Sequence, residues 1–181
     1  MRTALGLSVH TGWAAGVLLS ADDRVVARFH VDMGKAEHGG NVHAYHAAVE
    51  AKDPVATIER VRGWALAGAR TAFDAMTSEH TIGRCAIITG NVPSPPSLEK
   101  ILASHAALHT AEGELFRDAL ATVAAERRIA VQRIAAKQLE SDAQRAFDDP
   151  DAWAKALGKG LGPPWSKDHR DAALAAKLSM S

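Results

Sequence analysis

From Thr3 to Val9 the chain reads Thr-Ala-Leu-Gly-Leu-Ser-Val, large apolar side chains alternating with small or polar ones, which is the period of a strand with two unlike faces. His10-Thr11-Gly12 follows as a turn, and the mostly apolar run Trp13 to Ser20 predicts a second strand. Ala21-Asp22-Asp23 supplies turn chemistry, and the β-branched, alternating stretch Arg24 to Met33 predicts a third. Three successive strands joined by tight turns make an antiparallel meander. Gly34 to Asn41, with Gly34, Gly39 and Gly40, reads as a loop, beyond which the period changes from two to that of a helix.

Asn41 is the expected cap of a short helix through Glu50. Asp53 and Pro54 open a longer one, with Asp53 as cap, Pro54 in the first turn, and an apolar stripe of Val55, Ile58, Val61, Trp64, Ala65, Ala69 and Phe73. Cys85 to Thr89 is a short apolar run between Gly83 and Gly90, as in a strand buried on both faces. Pro93, Pro95 and Pro96 make Gly90 to Ser97 a loop; Ser97-Leu-Glu-Lys100 then starts a helix that runs to about Arg128 with a break at Gly113. Ile129 to Ile134 is a fifth strand. The polar stretch Glu140 to Asp151 leads into a helix around Trp153, then Gly158, Gly160, Gly162, Pro163 and Pro164 form a flexible loop before a last helix, Lys167 to Met180. The order β-β-β-α-β-α-β-α implies a mixed sheet with crossover helices on its faces.

Composition adds bounds rather than chemistry. The 181 residues are 47% hydrophobic and 23% charged, enough for a real core in a single domain spanning 1–181. Lys plus Arg and Asp plus Glu number 21 each, so a broad basic field is excluded and only a local basic patch can engage nucleic acid. The lone Cys85 cannot form an intramolecular disulfide, and the chain reads as cytoplasmic. Ser8, His10, Thr11 and Gly12 interrupt the apolar start that would otherwise resemble a signal peptide, and no run approaches membrane-spanning length.

The element order is that of the ribonuclease H-like fold, an α/β class with a mixed five-stranded sheet. Three patches resemble its RuvC-like Holliday-junction resolvase branch. Ala4-Leu-Gly-Leu-Ser-Val-His-Thr-Gly12 resembles the opening strand and glycine turn, and Ile129-Ala-Val-Gln-Arg-Ile-Ala-Ala-Lys-Gln138 the fifth strand and the basic segment after it. Asp168-His-Arg-Asp171-Ala-Ala-Leu-Ala-Ala176 resembles the closing motif, two acids three apart before an Ala/Leu-rich helix. The resemblance implies two-metal phosphodiester hydrolysis, in which carboxylates from the first strand, the end of the fourth strand and the last helix converge to offset the mutual repulsion of two divalent cations. Ser8 stands where the first acid belongs, and Cys85 to Asn91 holds no acid. Asp168 and Asp171 remain as the implied metal ligands, with His10 as a replacement ligand; Glu112 and Glu114 supply a relocated acid only if their helix points inward.

These residues are compatible with three functions. The first is a ribonuclease H-like domain without efficient nuclease activity, binding branched or duplex nucleic acid or another protein, able to form a homodimer, without a membrane partner. It requires no cofactor and binds Mg²⁺ or Mn²⁺ at most weakly. The alternative is a divergent Mg/Mn-dependent structure-selective endonuclease built on Asp168, Asp171, Ser8 and His10. The third, a remnant of the actin-like ATPase or sugar-kinase superfamily, needs two such domains. For nucleic acid, Lys159, Lys167 and Arg170 with Trp165 are the expected contacts, within a segment that also holds Lys155, Lys177 and Trp153, and that Arg127, Arg128 and Arg133 extend.

Other motifs weigh less. Gly158, Gly160 and Gly162 follow a helix and lack the ending of a phosphate loop. Ser8, His10 and Asp168 have the residue types of a hydrolytic triad but no nucleophile elbow. His43, His46 and Glu50 share a helical face, yet strong zinc spacings are absent, so with His38 they are expected to be surface histidines. His105 and His109, four apart without a third ligand nearby, are expected to be polar-face residues.

Overall fold

The computed structural model describes residues 2–34, 38–39, 42–93 and 97–180; the expected cap Asn41, with Gly40, Pro95 and Pro96, lies outside them. β1 (Thr3–His10), β2 (Trp13–Ser20) and β3 (Val25–Asp32) form the antiparallel meander. β4 (Arg84–Thr89) pairs in parallel with β1, and β5 (Ala130–Ala135) in parallel with β4, giving the order β3-β2-β1-β4-β5. Between and after them lie α1 (Ala44–Val49), α2 (Pro54–Glu79), α3 (Leu98–Leu102), α4 (His105–Glu126), α5 (Ala136–Ala146), α6 (Pro150–Leu157) and α7 (Lys167–Ser179).

The alternation in β1 assigns its two faces. Leu5, Leu7 and Val9 pack with Val61, Ala65 and Phe73 of α2 and with Leu115 and Phe116 of α4. Phe73 and Phe116 are fully buried there, each stabilising the fold by about 2–3 kcal/mol through lost apolar exposure. On the other face Ala4 packs with Ala176, and Gly6 lies beneath α7. A Cβ on Gly6 would fall 1.8 Å from the carbonyl oxygen of Ala172, so only glycine admits the helix this closely. Ala172, Ala173, Ala175 and Ala176 are all fully buried, completing a contact of small residues on both sides. Cys85 is sealed in the centre of the sheet, where burial pushes its thiol up to about 12 and leaves it protonated at neutral pH.

Several elements differ from the sequence expectations. The helix expected from Ser97 to Arg128 is two helices, and the break falls at Ser104, not at Gly113. Ser104 caps α4 by accepting from the Ala107 N–H at 3.5 Å, as Ser97 caps α3 through Lys100 at 3.4 Å. The polar stretch after β5 is helical from Ala136 to Ala146, anchored by the buried Leu139 and Ala143. Val55, placed on the apolar stripe of α2, is 57% exposed, and the buried stripe of the helix begins only at Thr57 and Ile58. Asp53 does cap α2, accepting from Ala56 N–H at 3.0 Å. Among the described residues no helix is long and apolar enough to cross a membrane.

Candidate functional site

Because side chains alternate along β1, Ser8 and His10 fall on the same side as Ala4 and Gly6, the side that α7 covers. Along α7 the spacing of four puts Asp168, Ala172 and Ala176 in one row. With Ala172 seated on Gly6, the first turn of the helix arrives over the C-terminal end of β1. There Ser8 Oγ donates to Asp168 Oδ1 at 3.1 Å, and His10 Nε2 reaches the same oxygen at 2.8 Å. The His10 ring stacks on Trp13 at 4.3 Å, and Trp13 on His30 at 5.4 Å, so aromatic packing fixes the imidazole.

Burial acts most strongly on the Asp168 carboxyl and pushes it up, but the hydrogen bond and charge of His10, the Ser8 hydroxyl and the His169 ring together hold it below its ordinary value. His169 is shifted down, first by burial and then by Arg28 and His30. Its Nδ1 accepts from the Ser166 backbone N–H at 3.3 Å and lies 2.9 Å from the Ser166 hydroxyl, a reciprocal cap on α7. Both shifts make acid the enemy of this helix end. The His169 contribution is present above the ordinary histidine value and is lost as pH falls below it; the Asp168 contribution is present above the ordinary carboxylate value and is lost as pH falls through the depressed folded one. Urea midpoints measured from neutral pH downward should fall in both windows, with His169→Gln flattening the upper one and Asp168→Asn the lower. Unchanged profiles in both variants would count against this assignment.

The three side chains that meet here have triad residue types but not triad wiring. Ser8 gives its proton to the carboxylate rather than to the imidazole, so His10 is not placed as its base. Asp171 is turned elsewhere: it pairs with Lys167 and lines a cleft of about 660 Å³ with Ile88, Asn91, Lys137 and Arg170. β4 ends in Ile88 and Thr89, and Asn91 beyond it accepts from the Lys137 N–H at 2.8 Å. Among the described residues, neither Asp168 nor Asp171 belongs to a set of three ligating side chains with atoms within 4.8 Å of one another. These residues do not fit a pair of hard divalent cations, which need several converging oxygens.

The segment expected to contact nucleic acid is largely charge-compensated. Lys155 and Arg170 pair with Asp151, Lys167 with Asp171 and Lys177 with Asp23. Arg127 pairs with Asp74, and Arg133 with Glu114 and Asp118. Lys159 is exposed. Trp165 is a packing residue: its indole N–H donates to Ala154 O at 3.0 Å and its ring closes over Gly158. The loop expected to be flexible is tethered, since Arg28 donates to the carbonyls of Leu161 and Gly162 at 2.9 Å each and of Pro164 at 2.6 Å.

A second cluster corrects the histidine expectations. Glu112 of α4 does point inward, and it is fully buried, but against α1 on the face opposite α7. Its carboxylate accepts from His43 Nδ1 at 3.0 Å, from His46 Nδ1 at 2.8 Å and from the His46 backbone N–H at 3.2 Å. Burial pushes the Glu112 carboxyl up, and these hydrogen bonds with the His46 charge outweigh it, leaving a net downward shift. The partner of His43 and His46 is therefore Glu112, not Glu50. His105 and His109 do have a third imidazole beside them, that of His46, with ring centroids at 5.3 and 4.7 Å. Glu114, the other candidate acid, pairs with Arg117 and Arg133.

No protein-family profile matches the sequence, and no curated protein does. Solved structures do match. RuvC from T. thermophilus in complex with a Holliday junction substrate superposes with a TM-score of 0.59 at 11% identity, covering 98% of this chain and 91% of that one. A second Thermus thermophilus RuvC structure gives 0.59 at 10% identity, covering 97% and 92%. The chain has the ribonuclease H-like fold of RuvC. Within that RuvC-like fold the shared architecture extends over nearly the whole chain, while the Ser8–Asp168 contact occupies the strand end where the sequence resemblance places an acid.

Proposed function

We propose that this RuvC-like domain binds branched or duplex nucleic acid and does not cleave it efficiently. The observation that carries the reading is the hydrogen bond from Ser8 to Asp168: a hydroxyl donor stands where metal-dependent hydrolysis calls for a second negative group. Binding is supported by the likeness to a fold seen with a Holliday junction substrate, by Lys167 and Arg170 in the first turns of α7 and by the exposed Lys159 in the loop before it. In this reading Lys167 and Arg170 exchange their carboxylate partners for phosphates, and Trp165 holds the loop that carries Lys159 rather than stacking on a base.

Incubating the purified protein with labelled duplex and four-way-junction DNA in Mg²⁺ or Mn²⁺ should give retarded complexes and little or no cleavage. Affinity should fall steeply with salt, and Lys159→Ala with Arg170→Ala should weaken binding and reduce the salt slope by about one for each phosphate left without its cation. Robust cleavage abolished by Asp168→Asn would establish the divergent endonuclease instead.

A further inference from the structure

We propose that His46, His105 and His109 form a binding site for a zinc-class divalent cation, with Glu112 as the carboxylate that positions it. The site is independent of the nucleic-acid reading, since α1 and α4 pack on the sheet face opposite α7.

Glu112 is a carboxylate with no exposed surface. A buried carboxylate must be fully hydrogen-bonded, and three donors from α1 and its N-terminal cap achieve this. Because it can only accept, the Nδ1 of His43 and of His46 each carry the proton directed at it. For neutral His46 the lone pair is thereby left on Nε2, at the far side of a ring held through Nδ1 on a residue whose backbone N–H donates to the same carboxylate. A carboxylate that fixes the tautomer and orientation of an imidazole is the usual support of a metal-ligating histidine.

The His46 ring also lies beside the N-terminal turns of α4, its centroid 5.3 Å from that of His105 and 4.7 Å from that of His109. There His105 and His109, four residues apart, present their rings on one face, centroids 4.5 Å apart, and Glu112 continues the same row three residues on. One ligand nitrogen from each of His46, His105 and His109 lies within 4.8 Å of the others. Tetrahedral zinc with nitrogen ligands at about 2.0–2.1 Å needs nitrogens about 3.3 Å apart. The rings of His105 and His109 are on exposed residues, so small side-chain rotations close that gap without moving either helix.

Three imidazoles select the donor class. Nitrogen ligands suit zinc, cobalt, nickel or copper and not Mg²⁺, which requires oxygen. The negative Glu112 directly behind His46 offsets the cation charge, and exposure on the outer side leaves the fourth position to water, a three-histidine arrangement with an open site. The other triplet, His43, His46 and Glu112, is the weaker choice, because binding there would break the hydrogen bonds that satisfy the buried carboxylate.

The test uses the untagged, chelator-treated full chain. Zinc competition against a chromogenic chelator should give one equivalent bound, and Co²⁺ should develop the intense visible bands of four-coordinate geometry, with excess Mg²⁺ failing to displace either. His105→Ala and His109→Ala, on the surface and folded by circular dichroism, should each weaken zinc binding by roughly 100-fold and abolish the Co²⁺ bands. Glu112→Gln, which keeps an acceptor for one imidazole, should weaken binding by about 10–100-fold while the spectrum stays four-coordinate, as a positioning role requires. Zinc bound equally by wild type and the His105→Ala/His109→Ala double variant would overturn the site. So would a six-coordinate Co²⁺ spectrum, or loss of binding in His43→Ala with His105→Ala unaffected.

Discussion

Gly6→Val lowers folding stability by about 3 kcal/mol or more, the upper range for forcing extra atoms into a packed core, and lowers Tm by roughly 10 °C for a domain of this size. The steric cause is specific: the new Cβ meets the backbone oxygen of Ala172 at 1.8 Å and the nitrogen of Ala176 at 2.9 Å, and backbone atoms of a helix cannot swing aside as a side chain can. α7 must lift from β1, which also pulls Asp168 from Ser8 and His10. Two glycine controls separate this from a general intolerance. At Gly16 the nearest atom is the flexible tip of Leu7 at 3.1 Å, so Gly16→Ala should cost far less. At Gly63, inside α2, nothing lies within 4 Å, and Gly63→Ala should stabilise by about 0.5–1 kcal/mol through helix propensity. Thermal melts of the three variants decide it, and a Gly6→Val melt matching wild type would refute the close contact.

Ser8→Asp should convert an inert contact into a metal-responsive one. Ser8 is buried, and its hydroxyl donates to Asp168 at 3.1 Å; an aspartate there removes the donor and sets two carboxylates against one another in a partly desolvated position. Without metal the variant should be about 2 kcal/mol less stable, the cost of a buried like-charge pair that one bound proton only partly relieves. Mn²⁺ or Mg²⁺ should then recover part of that loss by binding the folded state alone, whereas the same ions should leave the wild-type melt unmoved. Ser8→Asn, of similar size and uncharged, should lose stability without any response to metal. A Mn²⁺-induced rise in the wild-type Tm that Asp168→Asn removes would show that the natural pair of acids already suffices.

What the sequence revealed followed from how local each signal is. The five strands were legible because alternation and turn residues such as Asp22-Asp23 and Thr11-Gly12 act within a few positions. α5 was not, since its buried anchors are Leu139 and Ala143 in an otherwise polar helix, and two apolar residues four apart are too sparse a stripe to read. The break at Ser104 carries a capping serine, but no acid follows three residues on to mark it, and the flexibility that glycine gives position 113 is overridden by the packing of α4. At the candidate site, the resemblance pointed to Ser8, His10, Asp168 and Asp171; the Lys167–Asp171 pair has the local spacing of four, but the cleft that Asp171 lines is made with residues of α5 and α6, which no local signal announces. The histidine cluster shows the opposite limit. The row His105, His109, Glu112 was visible at helical spacing, but its meaning depends on α1 docking beside it, a juxtaposition no window of sequence contains.

The rail of small residues between Gly6 and the alanines of α7 also has a consequence for how the chain is made. α7 follows every strand it covers, so while the protein is being synthesised the face formed by Ala4, Val17 and Leu19 waits without its lid. A ribosome pausing before residue 167 would hold out a sheet with one face dressed by α2 and α4 and the other carrying at most α5 and α6, with the apolar surface of β1 and β2 a template for sticking to its neighbours on the same message. The arrival of a thirteen-residue helix ends that exposure in a single docking step, and that step also brings Asp168 to Ser8.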